Sequence, residues 1–519
     1  MTLTDIFSST IKSIIHFHTK HLTFNFSPEI TFFLKFNVAA CNISLALIVF
    51  LMTINLLTFW FFKKINLFNF IIKYLNLLLT TILLGVLMVK FYITLKIESV
   101  LGSQLLTLKL QFFKANLHNP YCELYTLFSS SFGDAVIILS IVAGLICLEL
   151  LGSKNLFQTV NNGSIFYMFT FFTIIMCSTT NLLILFLSFE FIFLPTVYFA
   201  YTLGYTKKID TASRMLIYWT LFGSFLVLSN LGYLYYEYKT LNYLFLIQKK
   251  FSNQELFFLF LNFLLGFGIK IPLAPLHFWL LKIHVEAPTA FSIYLSGFLV
   301  KSALYCFYMF FLLFLHDNLY TYIIIWAIYS LIIGTLGLAR QVDIKKLIAW
   351  ATIQEMSFIL TFLLLKQLIL THTCILFILL HGLMSSYMFF LIDILQRRYK
   401  TRSLKYITGL NTYFPELTKY IWFLILLFSG FPLTIKFFIE WSLITLSLET
   451  HKLILVITLI AVNFLGVIFF CQKFFTILYG VPPKQDDEIE FFEISKKEKI
   501  ILQLLLVWII CLNLLMYFI

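Results

Sequence analysis

The sequence predicts an all-α polytopic membrane protein with about fourteen transmembrane helices, two of them discontinuous. The first observation is composition: 61% of the 519 residues are hydrophobic and 12% are charged, whereas a soluble domain is nearer half apolar and a quarter charged. The second is that the apolar residues form runs of about 20, the length of a membrane-spanning helix. The third is that prolines and glycines interrupt two of these runs beside charged residues.

The runs define fourteen candidate spans, of which the fourth and fifth are the least clearly separated because no polar loop divides them. Their approximate bounds are 42–62, 68–92, 132–151, 164–180, 182–203, 212–234, 255–280, 287–314, 320–338, 343–365, 369–394, 417–447, 453–479 and 499–518. Residues 97–130 form the longest polar connection. The first thirty residues lack an Arg-rich amphipathic pattern and a small-residue cleavage site, so we expect no removed presequence.

Basic residues cluster in the loops after odd-numbered spans, which all lie on one face of the membrane. The clusters are Lys63 and Lys64, Lys207 and Lys208, Arg340 with Lys345 and Lys346, Arg397 to Arg402, and Lys496 to Lys499. The loop after the sixth span, with Lys239, Lys249 and Lys250, is an exception. The positive-inside rule then places both termini on the opposite face. These loops account for the net charge of +13, and no soluble basic segment indicates nucleic-acid binding.

Motifs for cofactors and metals are missing from the sequence. The eight cysteines form no CxxC pair, which argues against an iron–sulfur cluster or a zinc site. The stretch "GFGIKI" has Ile271 where a dinucleotide-binding loop needs a glycine. His277 and His284 have no third ligand pattern, so we expect His284, Glu286 and Pro288 to shape the loop after a broken helix.

Ionisable residues interrupt the apolar spans, and six of them are candidates for a function. Each costs at least about 2.5–3.5 kcal/mol at the bilayer centre, so each needs a partner, water or a function. One buried pair would be explained as a link between two helices. Six such residues favour a proton relay, which requires acids and bases in series. The six candidates are Glu190, Lys270, Lys301, Glu355, His381 and Glu440.

Prolines stand close to two of these charges. Pro272 and Pro275 follow Lys270, and Pro432 precedes Glu440 by eight residues. Proline removes a backbone donor, which is tolerated at membrane depth only where protein or water covers the gap. Two broken helices with charges in corresponding parts of two halves indicate inverted repeats; the alternative is an ordinary proline kink.

The stretch "FGIKIPLAPLHFWLLKIHVEAPTAFSIYLSGFLVK" closely resembles the long motif of the subunit 4 family of respiratory complex I (NADH dehydrogenase), a branch of the antiporter-like family. The stretches "LFLSFEFIFLPTVYFAYTLGY", "YWTLFGSFLVL", "ARQVDIKKLIAWATIQEM", "HGLMSSYMFFLIDIL" and "SGFPLTIKFFIEW" also match. Their order follows the family from about residue 130 to residue 480, whereas residues 1–125 match poorly.

The resemblance implies fourteen transmembrane helices with two inverted five-helix repeats. We expect N-terminal helices and a polar connection in 1–130, a first repeat in 131–315, a second in 316–480, and a final loop and helix in 481–519. The family's fifth-helix glutamate falls on Glu190, the lysine of its broken seventh helix on Lys270, and its eighth-helix relay lysine on Lys301. Its eleventh-helix histidine falls on His381, and the terminal glutamate of its broken twelfth helix falls on Glu440.

The chain departs from the family pattern at two places. Gln354-Glu355-Met356 stands where the tenth helix usually reads Ser-His-Met, and Ala303-Leu304 replaces a double glycine. The first departure lies in the exit half of the relay, where a glutamate can still exchange a proton.

The resemblance also implies the function: a proton-translocating subunit of NADH:ubiquinone oxidoreductase in the mitochondrial inner membrane, with both termini on the intermembrane-space side. NAD, FMN, iron–sulfur clusters and ubiquinone would be bound by other subunits, and no cofactor by this chain. The expected partners are the antiporter-like subunits 2 and 5 and membrane lipids, cardiolipin among them. A stand-alone Na⁺/H⁺ antiporter, an antiporter-complex subunit and a passive scaffold are the alternatives.

Overall fold

The computed structural model describes residues 40–52, 66–101, 130–151, 156–203, 208–249, 251–311, 313, 320–364, 368–449, 453–481 and 494–518. Within these ranges the chain is helical, with two isolated β-bridges and no strand. Lys63, Lys64, Lys207, Lys250 and most of the 97–130 connection lie outside the described residues. The helices are α1 (Ala40–Met52), α2 (Asn66–Leu101), α3 (Ser131–Leu151), α4 (Leu156–Ser178), α5 (Leu182–Leu203), α6 (Ile209–Tyr238), α7 (Asn253–Lys270), α8 (Phe278–Glu286), α9 (Thr289–Phe311), α10 (Tyr320–Arg340), α11 (Ile344–Leu363), α12 (Leu368–Tyr399), α13 (Pro415–Phe428), α14 (Ile435–Glu449), α15 (Leu453–Tyr479) and α16 (Lys496–Phe518).

The helix order confirms the predicted polytopic helical fold. The seventh predicted span is divided into α7 and α8, and the twelfth into α13 and α14. The fourth and fifth spans are separate helices, because α4 ends at Ser178 and α5 begins at Leu182. Eight of the described helices are long and apolar enough to cross a membrane by length and composition. The interrupted span is the fifth of six candidate spans between residues 131 and 315 and the fourth of five between residues 316 and 480.

The chain forms two compact units, and the first comprises residues 1–141, 152–192 and 240–248. An ion pair within this unit joins Lys90 of α2 to Asp134 of α3, with 3.0 Å between Nζ and Oδ1. Lys90 also donates to Cys41 Sγ of α1 at 2.9 Å, and Thr94 donates to Asp134 Oδ2 at 3.1 Å. Polar contacts thus link three N-terminal helices that the sequence analysis treated only as apolar spans.

The second unit comprises residues 142–151, 193–239 and 249–519. Its helices α9 and α12 are buried along the whole of their apolar segments, and α11 is mostly buried, whereas α6 and α15 are largely exposed. Lys301 on α9, Glu355 on α11 and His381 on α12 are accordingly buried in protein.

Small residues allow α6 and α7 to pack closely. A Cβ atom added to Gly223 would lie 2.7 Å from the carbonyl oxygen of Gly266. Two amides join the same helices, since Asn262 Nδ2 donates to Asn230 Oδ1 at 3.0 Å. This combination of close backbone approach and an interhelical hydrogen bond is typical of membrane helix pairs.

Loops that follow odd-numbered spans contact one another in the second unit. The basic clusters place these loops on one face of the membrane. Arg402, after the eleventh span, lies 3.9 Å from Asp343, after the ninth, and its carbonyl oxygen accepts from Ile344 N at 3.0 Å. Arg398 Nη2 lies 2.9 Å from Glu498 Oε2, after the thirteenth span. These contacts agree with the predicted alternation of the helices.

Candidate functional site

The break between α7 and α8 is covered by protein groups. Ala274 N donates to Ser330 Oγ at 2.9 Å, and the Ala274 carbonyl accepts from Trp326 Nε1 at 2.6 Å. Both partners belong to α10. Because side chains replace the lost helical hydrogen bonds, the interruption is satisfied at membrane depth. The predicted broken helix is therefore present, with Lys270 as the last residue of its first half.

Lys270 lies at the C-terminal end of α7, where the negative end of the helix dipole favours a cation. Its side chain is buried, and Nζ is 5.7 Å from the ring centre of Phe193. Glu190, partly buried on α5, belongs to the first compact unit, whereas Lys270 belongs to the second. The proposed pairing of Glu190 with Lys270 stays a prediction.

A π-helical turn, Leu295–Leu299, precedes Lys301 in α9. The ammonium group of Lys301, which is fully buried, donates to the carbonyl oxygen of Ser296 in this turn. A Cβ atom added to Gly297 would lie 2.7 Å from Ser386 Oγ, so α9 packs directly on α12 here. π-turns recur at functional sites because they displace the helical hydrogen-bond pattern.

His381 on α12 is subject to the charge of two lysines. The charges of Lys301 and Lys436 both act on its imidazole, which is buried. Lys301 also interacts electrostatically with Glu355 of α11. Among the described residues, His381 Nδ1 has no hydrogen-bond partner. The second unit thus brings Lys301, Glu355 and His381 into one buried region, as a relay requires.

The second break, between α13 and α14, contains an ion-pair cluster. Lys436 Nζ lies 2.7 Å from Glu355 Oε1 and 3.5 Å from Glu440 Oε1. It also donates to the carbonyl oxygen of Phe428, the last residue of α13, at 2.6 Å. Through its ammonium group, Lys436 therefore links its own helix α14 to α11 and to the C-terminal end of α13.

Glu440 is held by two further residues. Its Oε2 accepts from Asn463 Nδ2 at 2.7 Å. Gly430, with φ of 63°, lies beside the same oxygen, and a Cβ atom there would be 3.0 Å from it. The left-handed turn at the break thus allows the backbone to approach the carboxylate closely.

Lys436 is not among the six candidates predicted from the sequence. Its position four residues before Glu440 was a usable signal, because side chains at i and i+4 share one helix face. Glu355, where the resemblance predicts a histidine, is a carboxylate paired with Lys436. The neighbouring Gln354 packs against Gly334 and Gly466.

The two histidines near the first break lie in different surroundings. His284 is inside α8, and its ring stacks on Phe389 at 4.8 Å between centroids. His277 contacts Trp350 at 4.9 Å. His284 and Glu286 belong to the last turn of α8, and Pro288 lies in the connection to α9, so their expected part in shaping this loop stays a prediction.

The helix order and the two interrupted spans agree with a known membrane-protein family. The family model "NADH:quinone oxidoreductase/Mrp antiporter, TM" matches residues 179–466. The chain belongs to this family. The chain is also similar to the NADH-ubiquinone oxidoreductase chain 4 of Paramecium tetraurelia, with 33% identity over 367 residues, or 71% of this chain and 77% of the relative.

Two solved structures of respiratory and antiporter complexes share the fold of this family member. A chain of the membrane-bound sulfane sulfur reductase, an archaeal respiratory membrane complex, has a TM-score of 0.72 at 18% identity, covering 91% of this chain and 76% of its own. A chain of the Mrp complex from Dietzia sp. DQ12-45-1b has a TM-score of 0.63 at 19% identity, covering 79% and 80%. At these identities the likeness concerns the fold alone.

Proposed function

We propose that this chain is a proton-translocating membrane-arm subunit of NADH:ubiquinone oxidoreductase, respiratory complex I, in the mitochondrial inner membrane. The main observation in support is the buried group of Lys301, His381, Glu355, Lys436 and Glu440 on adjoining helices. Its charges are costly at membrane depth and serve proton transfer well. Family membership and the Paramecium relative support the same conclusion.

The entry half of the relay consists of Glu190 and Lys270. Redox chemistry in other subunits perturbs Glu190, and Lys270 releases its proton when the glutamate is drawn away from it. A buried lysine responds strongly to such a change, because burial disfavours its charged form and a nearby carboxylate favours it.

The exit half receives the proton at Lys301 and passes it through Glu355 and His381 to Glu440. Moving one charge against the membrane potential requires about 2.3 kcal/mol per 100 mV. A change of one unit in the pKa of a relay group corresponds to about 1.36 kcal/mol. Modest pKa changes at several coupled groups therefore supply the free energy needed to move one proton.

The redox steps take place outside this chain. NAD, FMN, the iron–sulfur clusters and ubiquinone are bound by other subunits, and this chain acts as part of the translocating enzyme. Its neighbours are the antiporter-like subunits 2 and 5 and membrane lipids, cardiolipin among them. Both termini face the intermembrane space, as the distribution of basic loops favours.

The test uses Lys270→Ala and Glu190→Gln in the assembled complex, reconstituted in proteoliposomes. Both variants are expected to lower proton pumping and coupled quinone reduction. Lys282→Gln is the matched control, because Lys282 is an exposed lysine on α8. Wild-type pumping in both relay variants would rule out the relay and favour the passive scaffold.

A Na⁺/H⁺ antiporter, alone or in an antiporter complex, is the second candidate. The fold shared with the Mrp chain favours it, although the named curated relative favours complex I. Purification of the native protein distinguishes the two. Recovery within a large redox assembly supports complex I, whereas transport by the purified chain under a sodium gradient supports the antiporter.

A further inference from the structure

The cluster around Lys436 contains more negative than positive charge when every group is ionised. Glu355 and Glu440 supply two carboxylates and Lys436 one ammonium group, and all three side chains are nearly inaccessible to solvent. An unbalanced charge in a buried site is far more costly than a balanced ion pair. One added proton makes the three groups neutral as a set.

Lys436 is the member whose charge is held constant by its surroundings. Its ammonium group caps the C-terminal end of α13 through the Phe428 carbonyl, and the ring centre of Phe428 is 4.3 Å from Nζ. Helix C-termini and aromatic faces both stabilise cations. The variable proton therefore belongs to the carboxylates.

The two carboxylates differ in how firmly they are paired. Glu355 Oε1 is 2.7 Å from Lys436 Nζ, whereas Glu440 Oε1 is 3.5 Å away. The shorter contact makes Glu355 the carboxylate that is more directly paired with Lys436. Glu355 Oε2 has no hydrogen-bond partner among the described residues, so it remains open to a donor.

We propose that Glu355, Lys436 and Glu440 form one proton-storing unit at the exit of the relay, with Lys436 as a positioning residue that sets its capacity to one proton. This inference rests on the proposed function and extends it to a residue that the relay did not include. In the resting unit Glu440 is a neutral carboxylic acid, while Glu355 and Lys436 form the ion pair.

Release is coupled to arrival through His381. When His381 takes up a proton, its positive charge adds to that of Lys436, and the stored proton of Glu440 leaves to water as hydronium. The Glu440 carboxylate then balances the imidazolium. Transfer of the His381 proton to Glu440, through the open oxygen of Glu355, restores the neutral unit, and each cycle moves one proton.

The storage unit predicts that the number of bound protons changes with the charge of the remaining residues. An ion pair that only links two helices predicts no such change. Lys436→Gln leaves two carboxylates without a cation, so a neutral unit binds two protons. Glu355→Gln leaves one carboxylate and one ammonium group, so the unit binds none. The double variant Glu355→Gln/Lys436→Gln binds one, as does Lys436→Arg.

Infrared difference spectra of the assembled complex measure protonated carboxyl groups, with Glu440→Gln to assign the band. Relative to wild type, we expect a gain of one group in Lys436→Gln, a loss of one in Glu355→Gln, and no change in the double variant or in Lys436→Arg. Proton pumping is expected to fall in Lys436→Gln and to be retained in Lys436→Arg. Lys282→Gln controls for the loss of an exposed lysine.

An unchanged carboxyl signal in Glu355→Gln, or in Lys436→Gln where it assembles, would overturn the storage unit. Wild-type pumping in assembled Lys436→Gln would do the same. Lys270→Ala separates this failure from failure of the proposed function, because Lys270 lies outside the unit. If Lys270→Ala stops pumping, but the number of protonated carboxyl groups in the Glu355 and Lys436 variants does not follow the charge balance, only the storage unit is rejected.

Discussion

Lys90 Nζ lies 3.0 Å from Asp134 Oδ1, and neither side chain exposes more than 1% of its surface. Removing one partner of such a pair leaves an isolated buried charge. We therefore expect Lys90→Ala to destabilise the first compact unit by about 3–5 kcal/mol. Thermal unfolding of the purified complex, followed through this subunit, measures the effect.

The matched control for that pair is the double variant Lys90→Met/Asp134→Leu. Apolar residues of similar volume commonly replace a buried ion pair without loss of stability. We expect the double variant to regain most of the lost stability. A double variant as unstable as Lys90→Ala would show that the pair does more than join α2 to α3.

Lys301 is expected to behave in the opposite way. Its buried ammonium group meets the Ser296 carbonyl in a π-turn rather than a close carboxylate. Because an ammonium group without a close counter-charge is costly to bury, Lys301→Met should leave stability unchanged or raise it, while pumping through this chain is lost. Paired measurements of unfolding temperature and proton pumping check this. Lower stability with intact pumping would make Lys301 a structural residue.

Gly430 is predicted to matter for the geometry of the exit. Its φ of 63° disfavours any residue with a Cβ atom, by about 1–2 kcal/mol. The added methyl group of Gly430→Ala would also lie 3.0 Å from Glu440 Oε2 and displace the carboxylate. We expect lower stability together with reduced pumping. Gly232→Ala is the control, because a Cβ atom there meets no atom within 4 Å.

The contact of α16 with the end of α12 is expected to be sensitive to acid. Partial burial favours the neutral form of Glu498, but the hydrogen bonds from Arg398 and from Ser495 N prevail and hold the pKa of Glu498 below its ordinary value of 4.5. A lowered carboxyl pKa stabilises the folded form above the ordinary pKa, and this stability is lost as pH falls through the lowered value.

Limited proteolysis near residue 494 at decreasing pH measures the release of α16. We expect wild type to become susceptible below pH 4.5, and Glu498→Gln to be more susceptible at neutral pH with little further change in acid. The same acid transition in both proteins would assign it to other groups.

The relay residues found from the sequence share a property that is visible without coordinates. Lys301, Glu355, His381 and Glu440 are ionisable groups inside long apolar runs, and the free-energy cost of burying them makes each informative by itself. Lys436 has the same property, since it lies inside the predicted span 417–447, but it was not among the six candidates. Its importance depends on a contact with Glu355, 81 residues away in the chain.

The sequence by itself determined the membrane environment, the helices and the two breaks, because hydrophobic run length and proline chemistry act locally along the chain. Only the tertiary structure decided which charges meet. The pairing of Lys90 with Asp134 and of Lys436 with Glu355 depends on how distant helices pack. Electrostatic partners inside a membrane are set by distances of a few ångströms between helices, and local sequence does not specify those distances.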